Sequence, residues 1–145
     1  MIVDLPDLAA MAAFGARIAR KLRAGDVIAL SGGLGVGKTT LARDVIAALG
    51  YRGEVPSPTF TILESYSGLR VPIVHADFYR LERPAEADEL GLDDYRDGAA
   101  LIAEWPENAG GFATEPGCLS IALEIAGEGR RAIVEPGVAW LGRLP

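Results

Sequence analysis

The segment best equipped for chemistry reads Gly32, Gly33, Leu34, Gly35, Val36, Gly37, Lys38, Thr39, Thr40. It fits the spacing G-x-x-x-x-G-K-[ST], with Gly32, Gly37, Lys38 and Thr39 at the fixed positions. Each fixed residue type has a physical cause. Glycines let successive backbone N–H groups turn inward into a concave nest, and a helix that starts at the lysine aims the positive end of its dipole at the same point. A polyphosphate is then held by main chain, Lys38 sets a charge at the β and γ phosphates, and the Thr39 hydroxyl is placed to ligate Mg²⁺. The plainer alternative is a glycine-rich turn that matches by accident. Against it, the segment lies between a short apolar run and a helical pattern, and Lys38 is one of only two lysines in the chain.

A nucleotide hydrolase also needs a carboxylate at the end of a buried strand, to hold Mg²⁺ or its waters. Asp77 follows the apolar run 71–76 and Glu104 follows the run 99–103. Both fit, and spacing does not rank them; the plainer reading of each is an acid where a strand meets solvent or a helix begins. His75, the sole histidine, shares Asp77's face if the strand continues, and so either orients that carboxylate or packs. Thr59 and Thr61 stand between the loop and the first acid, where a γ-phosphate sensor would sit, although β-branched residues in a strand need no such role. No Asn-Lys-x-Asp or Thr-Lys-x-Asp segment is present to read guanine, which favours ATP over GTP.

These residues need elements to position them. Asp4 is expected to cap a helix carrying Leu5, Leu8, Met11, Phe14, Ile18 and Leu22, ended by Gly25. Residues 27–30 then form a strand, and Leu41, Val45, Ile46 and Leu49 form one face of a helix that runs to Gly50. Residues 59–66 and 71–76 read as strands on either side of a turn at Gly68. Pro84 opens a short acidic helix to Leu90, residues 91–97 read as a polar connection, and residues 99–103 as a buried strand. Residues 119–125 and 131–134 suggest an antiparallel hairpin across Gly127 and Gly129 at one edge of the sheet. The sum is one α/β domain over residues 1–145, three-layered, around a central mixed and mainly parallel sheet.

Composition sets limits on partners. With half its residues hydrophobic and 23% charged, a chain of 145 residues is expected to fold without staples. Cys118 is the only cysteine, so no intrachain disulfide can form, and neither a secretory signal nor a spanning apolar run is visible; a cytoplasmic setting fits. The 20 acidic residues against 14 basic give a net charge of −6, which works against direct, stable binding to nucleic acid. The basic group Arg17, Arg20, Lys21 and Arg23 reads as a solvated last turn that complements a helix dipole.

Four blocks occur in order: Gly25-Asp26-Val27-Ile28 leading into the glycine-rich loop, then Ser57-Pro58-Thr59-Phe60, then His75-Ala76-Asp77-Phe78-Tyr79-Arg80-Leu81, then Glu104-Trp105-Pro106-Glu107. Together they resemble the TsaE (YjeE) family of P-loop NTPases, over roughly residues 22–107. The resemblance implies a Mg²⁺-dependent ATPase, an accessory to the TsaB–TsaD pair in forming threonylcarbamoyladenosine at position 37 of tRNA. It implies the phosphate and metal roles for Lys38 and Thr39 and a further phosphate contact for Thr40. It also implies a switch-like place for Thr59, Glu104 at Mg²⁺, Asp77 organising the hydrolytic water, and Trp105 covering the nucleotide or partner surface. Arg80 enters as a candidate source of positive charge, beside the plainer reading of a local ion pair. Two positions depart from the family: Gly33 stands where aspartate is common and Val36 where alanine is. Two other functions share the same loop. One is a nucleotide-gated binding module with incidental hydrolysis, which Gly33 keeps open. The other is a small-molecule phosphotransferase, for which the adjacent Arg130 and Arg131 are the only sign of an arginine-bearing lid.

Overall fold

The structure, a computed structural model, describes residues 1–56 and 62–145. Its frame is a seven-stranded sheet in the order β1-β7-β6-β2-β5-β4-β3, built from β1 (Ile2–Leu5), β2 (Val27–Ser31), β3 (Leu63–Tyr66), β4 (Ile73–Asp77), β5 (Ala100–Glu104), β6 (Cys118–Ala126) and β7 (Gly129–Pro136). The four central strands β6, β2, β5 and β4 run parallel, and antiparallel partners flank them on both sides, so the sheet is mixed. Strands buried on both faces read as continuous apolar runs. In β2 the runs divide by parity: Ile28 and Leu30 join the core beneath α1 (Leu8–Lys21) and α2 (Lys38–Ala48), while Val27 and Ala29 join the core beneath α3 (Ala85–Glu89) and α4 (Leu92–Arg96). That alternation across one strand produces the three layers.

Three local expectations need correction. Asp4 and Leu5 do not begin the helix but end the edge strand β1, which pairs with β7 from Ile2↔Ile133 to Leu5↔Arg130. Pro6 follows the strand, and Asp7, not Asp4, caps α1 by accepting the Ala10 N–H at 2.8 Å. The addition of β1 also takes β7, and with it the β6–β7 hairpin, away from the sheet edge. Residues 92–96 form the short helix α4 where a polar connection was expected, because Leu92 is buried against the sheet while its neighbours stay wet.

Helices α1 and α2 touch at Gly15, where an added Cβ would lie 2.7 Å from the Asp44 Cβ. Asp44 is partly buried there and its Oδ2 has no hydrogen-bond partner among the described residues. Burial raises its pKa above the ordinary carboxylate value. The folded chain therefore holds this proton more tightly than the unfolded chain, and stability present in acid is lost as pH rises through the raised pKa. Asp44→Ala is expected to raise the melting temperature at pH 7, with the gain shrinking as pH falls into the carboxylate range, as thermal melts across pH would record.

The last residues close one end of the molecule. Arg143 pairs both its terminal nitrogens with Asp26 at 2.6 and 2.7 Å and donates to the Lys21 carbonyl at the end of α1, while buried Trp140 donates to the Gly117 carbonyl. This fixes the entry to β2, the strand that delivers the glycine-rich loop.

Candidate functional site

The loop 32–37 connects the buried central strand β2 to α2. Gly32 has φ +133, and a Cβ there would lie 2.5 Å from the Leu123 carbonyl oxygen, so only glycine lets the loop pass so close to β6. Gly37, at φ +111, is the N-cap of α2 and offers no side chain, and no acid occupies the first turn. The helix dipole at Lys38 and Thr39 is thus uncompensated by the helix's own residues, as an anion cradle requires. Lys38 is 5% exposed; its Nζ donates to the Gly32 and Gly33 carbonyls, both at 2.7 Å, and lies 4.6 Å from the Trp105 ring centroid. Burial lowers its pKa, opposed by the negative charges of Glu104, Asp77 and Glu107.

The two acids expected at strand ends meet beside this loop. Strands β4 and β5 are parallel neighbours with Asp77 opposite Glu104. Glu104 is buried at the end of β5, and its Oε1 accepts from Thr39 Oγ1 at 2.8 Å. Its Oε2 lies 2.6 Å from His75 Nε2. Asp77 is less enclosed and accepts the Tyr79 N–H at 3.0 Å. Burial raises its pKa, the nearby Glu104 charge adds to the rise, and the Tyr79 hydrogen bond opposes it. The hydroxyl oxygen of Thr39 and the carboxylate of Glu104 are the hard donors that would suit a cation such as Mg²⁺.

His75 turns out to serve the other acid. It stands opposite Ile102 in the β4–β5 register, so its side chain reaches diagonally to Glu104, two residues further along the same face, and not along its own strand to Asp77. Thr59 and Thr61 lie outside the described residues. Arg80 is exposed in the turn after β4.

Two depressions open along the loop. One, of about 300 Å³, is lined by Lys38, Thr39, Asp77, Tyr79, Glu104 and Trp105. The other, of about 320 Å³, is lined by Leu5, Leu8, Met11, Val36, Glu128 and Arg130 among others, and the two share Gly35, Gly37 and Thr40. Trp105 has φ +54, the only non-glycine left-handed residue among the described ones; this conformation costs roughly 1–2 kcal/mol and holds its ring against Lys38 and, at 5.0 Å, Tyr79.

Arg130 was visible in the sequence only as half of an arginine pair. In the fold its Nε donates to the Val36 carbonyl of the loop at 3.0 Å, from a position 94 residues away that no local pattern could link to it. Arg131 instead faces Asp4 and Glu124 along the sheet.

Comparison with known proteins gives one family. The model of threonylcarbamoyl adenosine biosynthesis protein TsaE matches residues 5–133. The tRNA threonylcarbamoyladenosine biosynthesis protein TsaE of Streptomyces coelicolor is 45% identical over 100 residues, covering 67% of this chain and 68% of the relative. The protein of the same name from Haemophilus influenzae is 38% identical over 118 residues, covering 77% and 74%. The crystal structure of Bacillus subtilis YdiB superposes with a TM-score of 0.75 at 26% identity, covering 94% of this chain and 85% of that one.

Proposed function

The chain belongs to the TsaE family, a P-loop NTPase family, and from that premise we propose that it binds and hydrolyses ATP with Mg²⁺ as an accessory of the TsaB–TsaD pair. The product of that assembly is threonylcarbamoyladenosine at position 37 of tRNA. The observation that carries this reading is the 2.8 Å contact between Thr39 Oγ1, at the start of α2, and Glu104 Oε1, at the end of β5. It joins the loop that would hold phosphates to the acid that would hold their metal.

In this reading the residues 32–40 cradle the polyphosphate with main-chain N–H groups, and Thr40 adds a contact where the two depressions meet. Lys38 exchanges its bonds to the Gly32 and Gly33 carbonyls for phosphate oxygens. Thr39 and Glu104 hold the Mg²⁺, which when bound neutralises charge on the β and γ oxygens. Asp77, half-buried and facing the same depression, orders the attacking water. The depression beyond Thr40, with apolar Leu5, Leu8, Met11 and Val36, suits the nucleoside. Among the described residues no helix is long and apolar enough to cross a membrane, and a cytoplasmic protein that docks on other proteins more than on tRNA agrees with the net charge of −6.

The binding-module reading keeps one observation on its side, Gly33. A Cβ at this position meets nothing within 4 Å, so Gly33→Asp is expected to leave the melting temperature unchanged. The added charge beside the phosphates should weaken ATP binding without Mg²⁺ more than with it, and raise turnover; calorimetry and a phosphate-release assay on one preparation check both. The phosphotransferase reading loses support, since Arg130 is committed to the loop and Arg131 to the sheet. ATP hydrolysis by the chain alone and with TsaB and TsaD tests the proposal. Stimulation by the pair is expected, whereas ATP-dependent assembly without stimulated turnover would favour the module.

A further inference from the structure

Glu104 is 2% exposed and both of its oxygens are engaged, Oε1 by Thr39 and Oε2 by His75, itself 1% exposed. A carboxylate so buried is costly unless it is hydrogen-bonded. The hydrogen-bond pattern also fixes the imidazole. His75 Nδ1 is buried with no partner among the described residues. A proton on Nδ1 alone would leave a stranded donor there and set a lone pair of Nε2 against the carboxylate, so the neutral ring carries its proton on Nε2 and donates to Glu104.

We propose that His75 is a positioning residue which pins Glu104 Oε2, so that Oε1 alone faces Thr39 and the metal of the bound nucleotide. The inference rests on the ATP–Mg²⁺ reading above. Glu104 and Lys38 line the same depression, and among the described residues the carboxylate has no bond other than those of Thr39 and His75 to set its orientation there. Without the His75 bond the carboxylate is free to turn, and neither oxygen is then held toward Thr39 and the metal, while Lys38 keeps its own bonds to the loop. His75 therefore sets how strongly Mg²⁺ assists nucleotide binding, and acts only through Glu104.

Two measurements test this. Calorimetric titration of ATP, with Mg²⁺ and with EDTA, compares the parent with His75→Leu and with His75→Gln, whose amide nitrogen can reach the place of Nε2. Expected for His75→Leu is a loss of about 10- to 100-fold in Mg²⁺-dependent affinity, the range for partners of metal ligands, with metal-free affinity retained. His75→Gln should recover most of that loss. Equal behaviour of the two variants, or a parallel loss with EDTA, overturns the proposal and makes His75 a packing residue. Because His75 is the sole histidine, ring ¹⁵N NMR of the ligand-free protein gives an unambiguous second reading. A proton on Nε2, with signals that move in Glu104→Gln, is expected, and an Nε2 that carries no proton overturns the proposal. Failure of the parent to bind ATP in either buffer would sink the ATP reading, while the ring spectrum would still decide whether His75 holds Glu104.

Discussion

Lys38→Ala is expected to lower ATP affinity by about 100-fold or more, since charge-assisted hydrogen bonds to a buried phosphate contribute about 1.5–3 kcal/mol each and this ammonium can make two. Lys38 is the one cation among the described residues lining the depression between Thr39 and Glu104. Its surroundings are prepared for it: the Gly32 and Gly33 carbonyls hold Nζ from the loop, and the Trp105 ring covers it. The same geometry makes the loss specific to the ligand. Gly33 is exposed and Gly32 partly so, and carbonyls that lose the ammonium can turn to water, so the melting temperature should move little. Lys38→Arg should not rescue binding, because a planar guanidinium cannot replace a compact ammonium between two carbonyls and an aromatic face. Calorimetry with thermal melts on the same samples separates the two effects.

Glu104→Gln should reduce Mg²⁺-dependent turnover by about a thousandfold while leaving ATP binding in EDTA close to the parent's. The magnitude follows from the several kcal/mol that a correctly held metal contributes to phosphoryl transfer. The amide preserves side-chain size at the end of β5 and its oxygen can still accept from Thr39, so the change removes the charge and the acceptor that faces His75 but not the shape. This variant also separates the two surviving readings. If turnover drives the partner cycle, Glu104→Gln abolishes modification activity with TsaB and TsaD. If nucleotide binding alone suffices, ATP-dependent assembly with the pair persists and activity follows it.

Much of this site could be read from the residues in order, because the features that mark it are local. The glycine spacing, the lysine at a helix start and the acids closing two apolar runs each declare themselves within a few residues, and parallel pairing of β4 with β5 then brings Asp77 and Glu104 side by side. What escaped depends on pairing between distant segments. Leu5 fits the helical stripe that follows as well as it fits a strand, and only pairing with β7 decides for the strand. Five residues with one buried leucine, α4, give no periodicity to detect. Strand alternation leaves His75 either to orient Asp77 or to pack, whereas its hydrogen bond runs across the sheet to Glu104. Arg130 reaches the loop through the β6–β7 hairpin, and nothing near it in sequence announces the Val36 carbonyl.

The central claim is that the loop from Gly32 to Thr40 grips ATP, and titration of ATP into the purified chain in Mg²⁺, beside GTP and beside Lys38→Ala, tests it most directly. The account predicts saturable one-to-one binding of ATP, weaker binding of GTP, and loss of both in the variant. No binding of ATP by the parent, or equal binding by Lys38→Ala, would contradict it.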